Sequence, residues 1–259
     1  MCNTATEEGK VKLGSSLLNT KEAARVLRVS EASIRRWSDS GLLPARRLGP
    51  RRERRFELSE LEQFLGNTPG NRQAPLHAPS AVTIGGASVP LRSHFAPIYS
   101  TDAGGLRLSV PFLADGLRAG QPCFLAAAGP VLERYTRALT KDQAIDFEKA
   151  TGSGRLVVMA GPGATAVESI ANWEEKFAKA LAAGATTIRV VGDMACERRL
   201  FASDADMLAY EEAYDLMTRR YPAVTLCPYD AREFGGETIL RGLKAHPDMF
   251  QQHLGLFLS

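Results

Sequence analysis

The chain has 259 residues, of which 44% are hydrophobic, and carries a formal net charge of +3. This length is sufficient for one small and one medium domain with a sizeable core. No segment is apolar for long enough to cross a membrane, and the N-terminus lacks the apolar core of a signal peptide. We therefore expect a cytoplasmic protein with no membrane partner.

The four cysteines are Cys2, Cys123, Cys196 and Cys227. They form no Cys-x-x-Cys pair, which argues against a zinc ribbon and against a disulfide framework. In the cytosol they are expected to be reduced, and each is interpreted as a small buried side chain. The sequence thus predicts no metal site.

Residues 1–16 are predicted to be a disordered tail, and residues 17–65 have the pattern of a winged helix-turn-helix. Asn19 is a helix N-cap with Glu22 three residues later, and Ser30 caps a second helix from Glu31 to about Asp39. In that second helix, Ile34 and Trp37 would pack inward. The segment holds 11 Lys plus Arg against 7 Asp plus Glu, a net charge of +4, so the basic excess of the chain belongs to this domain.

The outward positions of the second helix predict a DNA-reading surface. Arginine can pair bidentately with guanine, and serine can approach base edges or phosphates. Gly41-Leu42-Leu43-Pro44 ends the helix, and Gly49-Pro50 stands at the tip of a basic hairpin that fits a wing along the phosphate backbone. A capping box at Ser59 and Glu62 predicts a last short helix. The outward helix positions are Ser33, Arg35, Arg36 and Ser38, and the wing arginines are Arg46, Arg47, Arg51, Arg52, Arg54 and Arg55.

This ordered set resembles the DNA-binding domain of the MerR family and its excisionase-like relatives. The match rests on the run from Thr20 to Ala24, the helix from Ser30 to Trp37, the Gly41–Pro44 segment and Arg55-Phe56. The resemblance implies that the second helix enters the major groove and that the wing contacts phosphates. The residues predicted to contact double-stranded DNA are therefore Thr20, Ser33, Arg35, Arg36 and the six wing arginines. A homodimer is expected, because one small winged domain buries little surface and paired half-sites are the usual remedy.

Residues 66–91 are rich in Gly, Pro, Asn, Ser and Ala and are interpreted as a linker. The MerR family usually continues from the winged domain into a long dimerising helix. No heptad pattern is present here, so the sequence does not predict a coiled-coil dimer.

Residues 92–259 alternate strand-like and helical stretches, which indicates an α/β domain with a mainly parallel central sheet. Together with the helical winged domain, this predicts a mixed fold class. The predicted strands cover residues 122–128, 155–160, 187–191 and 224–228, and the clearest amphipathic helices cover 166–183 and 204–220. The order of elements is similar to RecA and KaiC, yet no strand leads into a phosphate-binding loop with its lysine, which argues against nucleotide hydrolysis.

Glycines and polar residues follow each predicted strand. Because the carboxyl ends of parallel strands share one edge of the sheet, we expect a small-molecule pocket there. The candidate ligand-binding residues at these strand ends are Gly129, Pro130, Gly161, Asp193, Met194, Tyr229 and Asp230.

A second resemblance concerns the segments His94 to Tyr99, Phe112 to Gly120 and His246-Pro247, which look like the MEDS sensory domain. That domain is similar in fold to KaiC, lacks the nucleotide loop, and is found in regulators such as the one that controls dichloromethane degradation. Its opening motif, His-x-Cys-x-x-Tyr, is suspected of contacting a small hydrocarbon-derived effector. His94 and Tyr99 match this motif, and Ala96 stands at the cysteine position. The resemblance implies a ligand-contact role for His94 and Tyr99.

The sequence therefore predicts a one-component transcriptional regulator that binds DNA and senses a small-molecule effector, with no cofactor otherwise expected. It contains no nucleophile-base-acid motif, so an enzyme is not expected. Two alternatives stay open. One is an architectural, excisionase-like protein that bends DNA, and the other is an enzyme localised by its DNA-binding module.

Overall fold

The computed structural model describes residues 17–27, 29–39, 41, 43–50, 52–66, 81–142 and 145–259. The predicted tail 1–16 and wing residue Arg51 lie outside these ranges, as do residues 67–80 of the predicted linker. No helix in the described part of the chain is long and apolar enough to span a membrane.

The N-terminal domain is a winged helix-turn-helix with a three-stranded antiparallel sheet in the order β1-β3-β2. Its core is formed by Ala23, Leu27, Ile34, Trp37 and Phe56, all of them buried. Its elements are β1 (Leu17–Leu18), α1 (Thr20–Leu27), α2 (Glu31–Asp39), β2 (Arg46–Leu48), β3 (Glu53–Glu57) and α3 (Leu58–Gly66).

A β-hairpin occupies the end of the predicted linker, so that prediction was wrong for residues 81–90. The hairpin joins β4 (Ala81–Ile84) to β5 (Ala87–Pro90) through Gly85 and Gly86, both at positive φ. Two central residues at positive φ suit the tight turns of two-residue hairpins, and glycine adopts them without strain. Val82, Ile84 and Val89 are buried in the core of the C-terminal domain, so the hairpin belongs to that domain.

The C-terminal domain is a parallel five-stranded sheet with helices on both faces, as predicted. All four predicted strands are present, and β6 (Ser93–Phe95) adds a fifth at the edge. The order is β6-β11-β10-β8-β9, where β8 is Cys123–Ala126, β9 is Leu156–Met159, β10 is Ile188–Gly192 and β11 is Ala223–Leu226. The chain leaves β8 for β9 on one side of the sheet and leaves β10 for β11 on the other, so the topological switch point lies between β8 and β10.

Alternating side chains of the sheet contact helices on its two faces. Phe124 packs edge-on against Trp173 and Phe177, whereas its neighbour Cys123 faces the carbonyl of Leu113. The aromatic contacts add about 0.5–1.5 kcal/mol per pair beyond area burial. The helices are α4 (Asp102–Arg107), α5 (Ser109–Arg118), α6 (Gly129–Thr140), α7 (Phe147–Gly152), α8 (Ala166–Ala182), α9 (Met194–Glu197), α10 (Asp204–Thr218) and α11 (Gly236–Ala245).

A short parallel pair, β7 (Ile98–Tyr99) and β12 (Tyr229–Asp230), continues beyond the carboxyl ends of β6 and β11. The backbone N–H of Tyr229 donates to Pro97 O, and that of Ala231 donates to Tyr99 O. This pair holds the chain over the switch-point edge of the sheet and brings Tyr99 toward β10.

Candidate functional site

The caps predicted for the two N-terminal helices are confirmed. The Asn19 side chain accepts hydrogen bonds from the N–H groups of Lys21 and Glu22, and Glu22 accepts one from the Asn19 N–H at 2.8 Å. Ser30 Oγ accepts from the Ser33 N–H at 3.1 Å. The predicted capping box of the third helix is wrong, because α3 begins at Leu58 and Ser59 is already helical. The caps fix where α1 and α2 begin, and so set the orientation of α2 in the domain.

The predicted reading surface on α2 is only partly open. Arg35 is exposed, with an ion pair to Glu31 one turn earlier. Ser33 is not outward as predicted, since it is 6% exposed and donates its hydroxyl to Glu212 Oε2 at 3.0 Å. Arg36 lies 3.5 Å from the same carboxylate. The serine predicted to approach DNA therefore contacts the C-terminal domain.

The wing forms as predicted, and its arginines pair with nearby carboxylates. Arg47 and Arg54 both contact Asp39 at the end of α2, and together they lower the pKa of that carboxyl. Exposed pairs of this kind contribute little to stability. Phosphate oxygens can therefore replace the carboxylates at little cost. The remaining described wing pairs are Arg46 with Glu57 and Arg55 with Glu53, and Arg52 stands exposed at positive φ beside the turn.

Helix α10 connects the two domains. The sequence predicts one core face and one charged face, but residues 213–218 are buried on every side. Ala213 and Leu216 pack into the core of the winged domain, whereas Tyr214 packs against Trp173 in the core of the C-terminal domain. A cavity of about 230 Å³ lies at this junction. It is lined by Gly41, Phe64, Val167, Ile170, Ala171, Glu174, Ala213, Met217 and Arg220.

The predicted strand-end pocket is filled by side chains. The Tyr99 hydroxyl donates to Asp193 Oδ2 at 3.4 Å beside a void of about 10 Å³, which has room for about one water molecule. Asp193 also caps α9, accepting from the Cys196 N–H at 3.1 Å. Burial raises the pKa of Asp193 to about 6. Tyr99 and Asp193 thus lie together, but around a space smaller than a drug-like or metabolite-sized ligand.

The other predicted ligand residues are spread along this edge. Gly129 and Pro130 are exposed at the start of α6, and Gly161 packs against Leu200. Met194 is fully buried. Asp230 is held by Arg232, whose guanidinium lowers the pKa of that carboxyl. These residues share an edge of the sheet without lining one cavity.

His94 lies in β6 and not in a loop, and it belongs to a separate buried cluster with Glu211, Cys227 and His246. All four side chains are buried. His94 Nε2 lies 3.1 Å from Cys227 Sγ, and His246 Nε2 lies 2.9 Å from Glu211 Oε2. Burial lowers the pKa of His94, whereas the Glu211 carboxylate holds the pKa of His246 above its ordinary value despite burial. Tyr229, a predicted strand-end residue, lies next to this cluster, with its ring 6.0 Å from that of His246.

Sequence reasoning missed Glu211, Glu212 and Cys227 as functional candidates, and it used His246 only as part of the family motif. The cluster residues come from β6, α10, the end of β11 and the end of α11, so they form no short sequence motif with metal-ligand spacing. One signal was available: Glu211 is a carboxylate in the middle of the apolar stripe that contains Leu208 and Tyr214. A charge on a core face is rarely buried without a partner.

Two family models match the chain. One is described as MEDS, the methanogen/methylotroph, DcmR sensory domain, and matches residues 93–247, and the other is a helix-turn-helix domain and matches residues 17–68. The chain is 36% identical over 247 residues to the transcriptional repressor DcmR of Methylorubrum extorquens, covering 92% of each protein. Among solved structures it is similar to the flagellar accessory protein FlaH from Methanocaldococcus jannaschii, with a TM-score of 0.42 and 11% identity over 62% of this chain and 71% of that one. The chain therefore belongs to the MEDS family, in the DcmR-type arrangement that joins a helix-turn-helix domain to a MEDS sensory domain.

Proposed function

We propose that this protein is a DNA-binding transcriptional repressor whose MEDS domain controls the DNA affinity of its winged domain in response to a small-molecule effector. It would act as a cytoplasmic homodimer on double-stranded DNA. The similarity to the transcriptional repressor DcmR supports repression, and the basic wing supports contact with phosphates. A regulator is favoured over an enzyme, since the similarity to this repressor covers both domains.

The observation that carries the proposal is the contact between α2 and α10. Ser33 and Arg36 of the predicted reading helix both contact Glu212, so the DNA surface and the sensory domain share side chains. A carboxylate at this position also repels phosphates. Any change in the sensory domain that moves α10 therefore alters the groups available to DNA, which is the differential contact that coupling between two sites requires.

The cavity between the domains supports a location for the effector. Its volume of about 230 Å³ suits a small molecule, unlike the void at Tyr99 and Asp193. Phe64, Val167, Ile170 and Met217 give it an apolar wall, beside the ion pair of Glu174 and Arg220. Since the cavity lies between α3, α8 and α10, a molecule bound there would have different affinities for the docked and separated domains. Such a difference is what allows a ligand to shift the equilibrium.

The central test is the DNA affinity of Glu212→Gln, measured by fluorescence anisotropy on a duplex from upstream of the protein's own gene. Removing one hydrogen-bonded carboxylate contact of about 1 kcal/mol is expected to raise the affinity on the order of fivefold. Glu175→Gln, on the exposed face of α8, is the matched control and should leave the affinity unchanged. An affinity equal to or below wild type for Glu212→Gln would refute release of α2 as the basis of control.

The effector site is tested separately by filling the cavity. Ala171→Leu adds side-chain volume at the exposed mouth of the cavity. With dichloromethane as the probe, we expect the DNA affinity of the wild type to change and that of Ala171→Leu to stay constant. An equal response in both proteins would place the effector elsewhere.

A further inference from the structure

The buried cluster of His94, Glu211, Cys227 and His246 has the composition and spacing of a metal site. One potential ligand atom from each residue lies within 4.8 Å of all the others. With metal–nitrogen bonds of about 2.0–2.1 Å and a metal–sulfur bond of about 2.3 Å, tetrahedral geometry places ligand atoms about 3.3–3.6 Å apart. The observed distances are 3.1 Å from His94 Nε2 to Cys227 Sγ and 3.6 Å to Glu211 Oε2, and 2.9 Å from Glu211 Oε2 to His246 Nε2. A tetrahedral shell would require the longest separation to shorten by about 1 Å and the shortest to lengthen by a few tenths of an ångström.

An oxygen acceptor faces the outer ring nitrogen of each imidazole in the cluster. His246 Nδ1 lies 2.7 Å from Gly242 O, and a proton on Nδ1 leaves the Nε2 lone pair directed at the cluster. His94 Nδ1 faces Asp215 Oδ1 at 3.5 Å, and Asp215 is fixed by Arg219 at 2.8 Å. Metal-binding histidines commonly have such a carbonyl or carboxylate at the other ring nitrogen.

Several polar atoms at the centre lack hydrogen bonds among the described residues. Both carboxylate oxygens of Glu211 and Nε2 of His246 are buried without one, although Glu211 and His246 approach closely enough for an ion pair. Buried polar atoms of this kind are costly unless something satisfies them. A cation at the centre of the four residues would be coordinated by the carboxylate oxygen, both imidazole nitrogens and the thiolate at once.

We propose that these four residues bind one divalent transition-metal ion of the zinc class, an assignment that goes beyond the proposed function. The mixed nitrogen, oxygen and sulfur donors suit Zn²⁺ or Co²⁺ and disfavour Mg²⁺ and Ca²⁺, which prefer all-oxygen shells. The closed shell, with no ligand exposed, is typical of structural zinc sites. The site ties together β6, α10, the end of β11 and the end of α11. It therefore includes the helix that contacts the winged domain.

The test is a Co²⁺ titration of the full-length protein after removal of metal with a chelator. We expect one Co²⁺ per chain, with the visible absorption of a tetrahedral ion and a thiolate-to-cobalt charge-transfer band in the near ultraviolet, and displacement of both by Zn²⁺. Cys227→Ser should lose the charge-transfer band, whereas Cys123→Ser, a buried cysteine of the same sheet, should keep it.

The wild-type titration needs no variant to decide the outcome. Folded protein that binds neither Co²⁺ nor Zn²⁺ would overturn the proposal and leave a metal-free polar cluster. A charge-transfer band that persists in folded Cys227→Ser would also overturn it, since the thiolate would then come from another cysteine. Circular dichroism of each variant shows whether it is folded.

Discussion

The two sides of α10 are built from opposite kinds of interaction. On the side facing the winged domain, Glu212 makes partly exposed contacts with Ser33 and Arg36. On the other side, Glu211 is fully buried and Asp215 is mostly buried in a polar network. Exposed pairs are worth about 0.2–1 kcal/mol, whereas removing one partner of a buried pair costs about 3–5 kcal/mol. DNA or an effector can therefore compete with the first side, while the second side gives α10 a fixed position.

The largest effect is expected on the buried side, for Asp248→Ala. Asp248 accepts from the His94 N–H at 2.8 Å and from Arg219 at 3.0 Å, so its removal leaves the buried His94 N–H without an acceptor and takes one of two carboxylates from Arg219. We expect a loss of about 3 kcal/mol in the free energy of unfolding, measured by urea denaturation. Glu175→Ala, which breaks an exposed pair, should leave the free energy of unfolding almost unchanged. Equal effects of the two substitutions would remove the contrast between the sides.

Metal removal is expected to have the next largest effect. A ligand that binds only the folded state at 100 times its Kd stabilises it by about 2.7 kcal/mol. For a domain of this size, that corresponds to a rise in Tm of about 5–10 °C when Zn²⁺ is restored to chelator-treated protein. Mg²⁺ should give no rise, and neither should Zn²⁺ added to Cys227→Ser. The same Tm with and without Zn²⁺ would show that the buried side is complete as a protein network alone.

Asp193 gives a smaller, pH-dependent effect at the strand-end edge, away from both sides of α10. Its pKa of about 6 lies above the unfolded value of about 3.9, so the native state holds a proton that the unfolded state has lost between these values. The stability contributed by Asp193 is thus full below about pH 4 and is lost as the pH rises through 6. Asp193→Asn retains a side-chain cap for α9. Its free energy of unfolding, relative to that of the wild type, should increase by about 2 kcal/mol from pH 4 to pH 7. A stability difference that does not change with pH would contradict this.

The smallest effect on stability is expected for Glu212→Gln. Its contacts are partly exposed, so we expect a change below about 1 kcal/mol in the free energy of unfolding. The same substitution is expected to change DNA affinity more than any other at this contact. A loss of several kcal/mol would instead mean that the two domains form one permanent core.

Local signals in the sequence were sufficient for most of the fold. Side chains within one turn form the caps at Asn19 and Ser30, and runs of apolar residues identify the four central strands, so both could be predicted. The hairpin at 81–90 could also have been found, because Val82, Ile84 and Val89 stand on alternate positions around Gly85-Gly86. The surrounding glycines and prolines concealed that pattern.

The site was harder to predict because its contacts join distant segments. His94 was singled out through the family motif, but its neighbour Cys227 follows a different strand, and Ala96 at the motif's cysteine position gave no indication of it. Ser33 was predicted to face DNA because helical periodicity cannot show that another domain covers a polar position. Helix α10 carries apolar residues on several sides, and that breadth is the sequence signal for burial between two domains.

The most direct test of the account is the distance between the two domains with and without DNA. Spin labels at Ser59→Cys on α3 and Lys179→Cys on α8, both exposed, report this distance by pulsed electron spin resonance, with Cys2 replaced by Ser. In free protein we expect a single narrow distribution that matches the docked structure, and in the DNA complex a longer and broader one. An unchanged distribution in the DNA complex would contradict the claim that α2 leaves α10 to bind DNA.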